Sequence, residues 1–247
     1  MTSSTGPHYR CAGCSRDLGR RQLYDEARAG TEPSKRGVPV RLLVVGASGR
    51  TGRLLVAAAL GGGHEVTAFV RDPARAEFPA DVIVVTGDVL QLDSLAPALE
   101  RQDVVVSLLA PRPRLNGRVY LEGTRNLTDA AVAASVKRLV VVSAEGAGVE
   151  PDELPLAYRI VMRIPVVAKL YPDIAEMDRE LAERTDIDWT IVRPAVLTNG
   201  PATGCYRIAT GNVVPHGLRI SRADLADLLL RIAEDRSHVR ERVAIAD

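Results

Sequence analysis

The stretch RLLVVGASGRTGRLLVAAAL, residues 41–60, sets Gly46, Gly49 and Gly52 three apart between two apolar runs. Glycines in that spacing either hold a phosphate or merely turn the chain, and their surroundings decide which. From Val40 onward, apolar runs of strand length recur at VRLLVV, HEVTAFV, DVIVVTG, DVVVSLLA, RLVVVS and DWTIVRP. Segments with helical spacing lie between and after them, at Thr51–Leu60, Asp93–Arg101, Val119–Ser135, Pro172–Arg184 and Ser221–Asp235, and RVAIAD offers one more strand. Continuous Val, Ile and Leu runs imply strands buried on both faces, and strand–helix alternation implies a parallel sheet between helical layers. The expected fold class is α/β, a doubly wound parallel sheet of the Rossmann kind. It forms a single domain over residues 38–247 with a small substrate-side extension.

In that setting the glycines follow a strand and open a helix, the context a dinucleotide-binding loop requires. Gly46 permits the sharp turn, Gly49 leaves room at the diphosphate, and Gly52 lets the helix pack closely on the sheet. The amides of Ser48, Gly49, Arg50 and Thr51 then face the anion, helped by the positive end of the helix. Charge selects the dinucleotide. An NAD site wants a carboxylate at the end of the next strand, whereas HEVTAFV ends in Arg71-Asp72-Pro73-Ala74-Arg75. Arg71 and Arg75 suit a 2′-phosphate, Arg50 approaches it from the other side, and Asp72 before Pro73 caps the short helix that follows. NADP(H) is therefore the expected cofactor. Asp88 and Val89 after the third run suit the adenine, and Leu109 and Ala110 end the fourth run at the same edge.

The totals narrow the partners. A net charge of +1 and 4% aromatic residues give no reason to expect nucleic acid. No apolar stretch reaches the ~20 residues of a membrane helix, and MTSSTGPHYRCAGCSRD lacks the apolar centre of a secretory signal. Three cysteines cannot build a disulfide framework, so a cytoplasmic location is expected. Residues 1–37 carry seven Lys/Arg against four Asp/Glu and no period able to bury a face, so a disordered tail is expected there. His8-x-x-Cys11-x-x-Cys14 is short of a fourth ligand for zinc, and no metal is expected.

GASGRTG, the Arg-Asp-Pro-x-x-Arg element, GDV, EGTRNLTDAA, VVVSAEGAG, DWTIVRPAVLTNGPATGCYR and ISRADLADLLL together resemble the atypical short-chain dehydrogenase/reductases. The resemblance covers roughly residues 40–247. It points to the NAD(P)H-binding group that includes biliverdin reductase B-like flavin reductases and NmrA-like sensors. It implies that Ser143, Arg193 and Pro194 lie near the nicotinamide, with Asn126 on the helix behind them. Typical members of the superfamily use a Ser, a Tyr and a Lys four residues after the Tyr as acid–base machinery. Here Tyr171 stands where the Tyr belongs, Ala175 replaces the Lys, and Ser143 is followed by Ala144 and Glu145 where the usual Ser falls. Tyr171 and Ser143 are the catalytic candidates, with Glu145 and Asp173 as substitute acids.

The missing Lys favours reduction of a small conjugated acceptor (quinone, flavin, enone or carbonyl), in which the proton can come from solvent. The alternative is an NmrA-like sensor that binds NADP(H) without turnover. Arg112 and Arg114 are candidates for an anionic substrate group. Residues Glu153–Tyr171 suit a lid, a dimer surface or core. Cys205 reads as a packed thiol, His64 as a helix cap, and His216 and His238 carry no role. The partner is a small-molecule acceptor, with no membrane, and the chain is a monomer or homodimer.

Overall fold

The computed structural model describes residues 10–11, 38–75, 77–110, 118–149, 159 and 163–247. Strand β1 (Arg10–Cys11) precedes the repeating units β2 (Arg41–Val45), α1 (Arg50–Gly62), β3 (Glu65–Val70) and β4 (Val82–Thr86). There follow α2 (Ala96–Leu99), β5 (Val104–Ser107), α3 (Arg118–Ala133), β6 (Arg138–Val142), α4 (Pro165–Glu183) and β7 (Asp188–Pro194). The last third adds β8 (Val196–Thr198), β9 (Arg207–Thr210), β10 (Arg219–Ser221), α5 (Arg222–Asp235) and β11 (Glu241–Ala246).

The main sheet has nine strands in the order β1-β9-β11-β7-β6-β5-β2-β3-β4. From β11 to β4 every pairing is parallel, and β9 runs antiparallel to both β11 and β1. The order reverses at β2, which lies between β3 and β5. Two loops diverge there and leave a crevice above the carboxyl ends of the strands. Strands β8 and β10 form a separate parallel pair outside the main sheet.

Burial explains why the central runs are continuously apolar. Leu42, Leu43, Val44, Val105, Val106, Leu139, Val140, Ile191 and Val192 have no exposed surface. Helices α1 and α5 cover one face of the sheet through Leu55, Val56, Ala59, Leu225, Leu229 and Ile232. Helices α3 and α4 cover the other through Leu127, Ala131, Ile174, Met177 and Leu181. Burying each such Leu or Ile contributes about 1.5–3 kcal/mol, and the two faces together supply the drive for the fold.

Four readings need correction. DVIVVTG is a sheet-edge strand, so Ile83 and Val84 of β4 are exposed instead of covered. The helix expected at Pro172 begins at Pro165, which takes the first helical position with its missing N–H at no cost, and Pro172 lies inside the helix. His64 does not cap α1. Gly63, in the left-handed conformation at φ 83°, does. The imidazole instead accepts from the Val40 N–H at Nδ1 and donates from Nε2 to Glu234, tying the start of the sheet to α5. Cys205 is exposed, not packed.

The capping box at Ser221 holds in modified form. Ser221 Oγ accepts from the Asp224 N–H at 2.9 Å, while the Asp224 carboxylate takes the Thr203 and Gly204 N–H groups. Asp224 thereby pins the loop before β9 to the start of α5. The described helices include none long and apolar enough to cross a membrane.

Candidate active site

The chain leaves β2 through Gly46, at φ +82°, where a Cβ would stand 2.6 Å from the Leu108 carbonyl oxygen. Only glycine fits both the torsion and the approach. A Cβ on Gly52 would meet the Gly46 carbonyl oxygen at 2.4 Å and Ala47 Cα at 2.8 Å, so this glycine seats α1 against the loop that precedes it. Gly49 is the helix N-cap in extended conformation, with no side chain capping the helix and no acidic residue in the first turn. The first-turn N–H groups thus remain for an anion. One expected donor drops out, because the Gly49 N–H is bonded to the Gly46 carbonyl at 3.0 Å. Of the expected donors, Ser48, Arg50 and Thr51 remain.

Two cavities flank this loop. The first, about 260 Å³, is lined by Val45, Gly46, Ser48, Gly49, Phe69, Arg71, Asp72, Val89 and Val119 among others. The second, about 240 Å³, is lined by Arg50, Thr51, Gly52, Tyr120, Val142, Ser143, Pro194, Leu197 and Arg222. Gly46, Gly49, Leu108, Leu109 and Ala110 belong to both, so one cleft runs across the reversal of strand order. An elongated ligand lying on the glycine loop fits this shape, with one end between β2 and β3 and the other above β6 and β7.

The first cavity receives Arg71 and Val89 as expected. Arg71 has no hydrogen bond or ion pair among the described residues, so its guanidinium is available to a ligand. Asp72 accepts from the Ala74 N–H at 3.2 Å and caps the turn Pro73–Arg75. Arg75 closes that turn, and its side chain lies outside the described residues. Asp88 Oδ1 accepts from the Leu90 N–H at 3.0 Å and shapes the turn that presents Val89. Asn126 on α3 donates to the Val89 carbonyl at 2.9 Å, so it braces the loop that presents Val89 from behind. Arg50 lines the second cavity, and Arg71 the first.

Behind the second cavity lies a buried polar network. Ser143 Oγ donates to Asp178 Oδ2 at 2.9 Å, and Arg193 donates to the same oxygen from Nε at 2.9 Å and from Nη2 at 2.7 Å. Arg193 Nη1 also bonds Asn212. Asp178, Arg193 and Ser143 are all buried. Burial pushes the Asp178 carboxyl above its ordinary range, against the pull of Arg193 and the Ser143 hydrogen bond.

Two of the remaining acid–base candidates, Glu145 and Tyr171, are engaged elsewhere. Glu145 is buried and accepts from the Val214 N–H at 2.6 Å, holding the loop after β9. Tyr171 donates to the Glu145 carbonyl oxygen at 3.1 Å, and burial and then the Glu145 charge raise its phenol above the ordinary value. Tyr120 is the phenol that lines the cavity, and burial pushes it up to about 12. Arg112 and Arg114 lie outside the described residues, as do His8, Cys14 and most of residues 150–162. Among the described residues no cluster of His, Cys, Asp or Glu is arranged for a metal.

Sequence reading missed Tyr120, Asp178 and Arg222. Asp178 was legible only as one more polar residue on a helix, because its partners come from two strands. Arg222 directly follows the Ser221 cap, and nothing in local spacing ties that helix start to the glycine loop.

A doubly wound sheet with an uncapped, acid-free helix start at its reversal point is the architecture of a dinucleotide-binding protein. Residues 46–236 match a family model described as NAD(P)H-binding, and the chain belongs to that family. It is 29% identical over 215 residues to the Bacillus subtilis protein YwnB, covering 83% of this chain and 98% of that one. It is 33% identical over 186 residues to a 3-diazoavenalumate denitrifying reductase from a Streptomyces species, covering 68% of this chain and 59% of that one. The fold also matches ChuY, an anaerobillin reductase from Escherichia coli O157:H7, with a TM-score of 0.70 at 22% identity, over 83% of this chain and 96% of that one. The likeness thus extends from the family model to the architecture of the sheet.

Proposed function

We propose that the protein is an NADPH-dependent reductase that delivers hydride to a small conjugated acceptor such as a quinone, flavin or enone. The observation that carries this reading is the commitment of protons around the second cavity. Ser143 gives its only hydroxyl proton to Asp178, so it faces the cavity as a hydrogen-bond acceptor. Tyr171 gives its proton to a backbone carbonyl, and no Lys follows at residue 175 to lower its pKa. Alcohol oxidation needs a base that this arrangement does not supply. An electron-poor ring accepts hydride and takes its proton from solvent.

The residues present suit the cofactor. Ser48, Arg50 and Thr51 hold the diphosphate with their amides, and Gly46 and Gly52 keep that cradle open to backbone approach. Val89 packs against the adenine, and Arg71 grips the 2′-phosphate that distinguishes NADP(H) from NAD(H). Ser143 and Pro194 face the nicotinamide, with Leu109 and Ala110 on the wall between the two halves. The bound cofactor supplies the hydride. Tyr171 remains the candidate proton donor for carbonyl acceptors, provided its bond to Glu145 opens.

The same commitment of protons favours a second reading, an NmrA-like sensor that binds NADP(H) without turnover. NADPH oxidation followed at 340 nm against a panel of quinones, flavins, enones and aldehydes separates the two. The reductase gives turnover that is lost in Gly49→Val and kept within a few-fold in Tyr171→Phe for acceptors protonated by solvent. A loss of 100-fold or more in Tyr171→Phe would restore that phenol as the general acid. Saturable NADPH binding with no turnover across the panel would establish the sensor.

A further inference from the structure

Helix α5 starts at the same edge of the sheet as α1, and its first residue, Arg222, shares the second cavity with Gly49, Arg50 and Thr51. The Arg222 side chain is held in place by one nitrogen: Nη1 donates to Asn199 Oδ1 at 2.7 Å and to the Leu197 carbonyl at 3.3 Å. Nε and Nη2 have no acceptor among the described residues, and a guanidinium presents five N–H donors in a fixed fork. Arg50 also has no hydrogen bond or ion pair among the described residues. Burial, and then the nearby positive charge of Arg50, lower the proton affinity of Arg222. Two like charges therefore converge on a cavity whose lining, among the described residues, includes no carboxylate, an arrangement that an anion between them relieves.

We propose that Arg222 and Arg50 clamp the diphosphate of the dinucleotide from the side opposite the glycine-loop amides. The proposal rests on the cofactor reading above and adds a cofactor contact from outside the fingerprint. The location selects the ligand group, because the cavity wall that carries Arg222 also carries Gly49, Arg50, Thr51 and Gly52, the start of α1. The 2′-phosphate belongs at the other end of the cleft, beside Arg71. A carboxylate on the acceptor is the competing occupant, and the choice of ligands distinguishes it.

Dissociation constants are measured for NADPH, for 2′-phospho-ADP-ribose (no nicotinamide) and for adenosine 2′-phosphate (no diphosphate). The proteins are wild type, Arg222→Gln, Arg222→Lys and Arg50→Gln, each checked for an unchanged melting profile. Arg222→Gln should weaken NADPH and 2′-phospho-ADP-ribose by the same factor, roughly 10- to 100-fold, the usual loss for a charge-assisted hydrogen bond. Adenosine 2′-phosphate should bind as before, and Arg222→Lys should recover part of the loss. Arg50→Gln, at an exposed position, should show the same pattern to a smaller degree and serves if Arg222→Gln fails to fold. Unchanged NADPH affinity in the Gln variants, with or without a raised acceptor KM, would overturn the clamp. So would equal weakening of all three ligands. If wild type binds none of them, the cofactor reading itself falls.

Discussion

Removing Asp178 isolates a charge that the fold cannot rehydrate. Arg193 is 4% exposed at its side chain and Asp178 2%, and their closest approach is 2.7 Å. In Asp178→Leu the guanidinium keeps only Asn212 as a partner, and Ser143 loses its acceptor. Breaking a buried pair from one side costs about 3–5 kcal/mol. For a chain of this size that lowers the melting temperature by roughly 6–20 °C. The pair itself is a different matter. Burial raises the Asp178 carboxyl in spite of Arg193, and buried pairs in general return little against the cost of desolvating them. The sign follows: the contribution of this group is fully present below the unfolded carboxyl value of about 4 and is lost as pH rises from there through the folded value. Replacing both charges, in Asp178→Leu with Arg193→Met, should therefore be milder than either single change. The residual loss is about 1–2 kcal/mol, from Ser143 and Asn212 left without partners. Urea denaturation of the four proteins followed by circular dichroism reads this directly. If the double variant loses the sum of the two singles, the buried pair does not exist as described.

Arg71→Asp should raise the Kd for NADPH by roughly 100-fold, since a carboxylate would face the 2′-phosphate, while NADH changes little; equal loss of both in fluorescence titration would remove Arg71 from that role. Gly52→Ala places a methyl 2.4 Å from a backbone oxygen, so it should cost about 1–3 kcal/mol in thermal unfolding and weaken NADPH binding, and an unchanged melting point would refute the close packing. Tyr120, Tyr171 and Tyr206 all have phenols raised by burial. Because the fold favours their protonated form, stability should fall as pH climbs from about 10 through about 12, and absorbance at 295 nm should show these phenols ionising only with unfolding. Three phenols titrating near 10 in the intact protein would contradict that burial.

The architecture was legible because its signals are local. Runs such as LLVV and VVVS have one meaning in a sheet covered on both faces, and the glycine spacing fixed where the first helix starts. The edge strand β4 was misjudged for the same reason, since VIVVT reads as apolar whether or not a helix lies over it. Strands β8, β9 and β10 were missed because three or four residues carry no usable period, and their pairing is set by α5 and β11. In the site, Arg71 and Val89 could be placed by their distance along the chain from the glycines. Asp178 and Arg222 could not, because their roles come from side chains meeting across layers. For Asp88 the register was legible, but not the turn that its Oδ1 shapes through the Leu90 N–H.

The two helices that start at the cleft show how the same feature can be kept for a ligand or closed off by the chain. Helix α5 fills its own first turn: Ser221 caps it, and Asp224 places a carboxylate there while holding the loop before β9. Helix α1 has neither a capping side chain nor an acid in its first turn. An uncapped helix start forgoes about 1 kcal/mol of stabilisation. In α1 the cap position is occupied by Gly49, which also lines both cavities. A serine there would recover the capping energy only by placing a hydroxyl where the anion is to sit. The chain thus spends its capping chemistry on the helix that braces the site and withholds it from the helix that forms the site. Gly49→Ser should accordingly raise the unfolding midpoint slightly and weaken NADPH, and a stabilised variant with undiminished NADPH affinity would show that the first turn of α1 is not where the diphosphate rests.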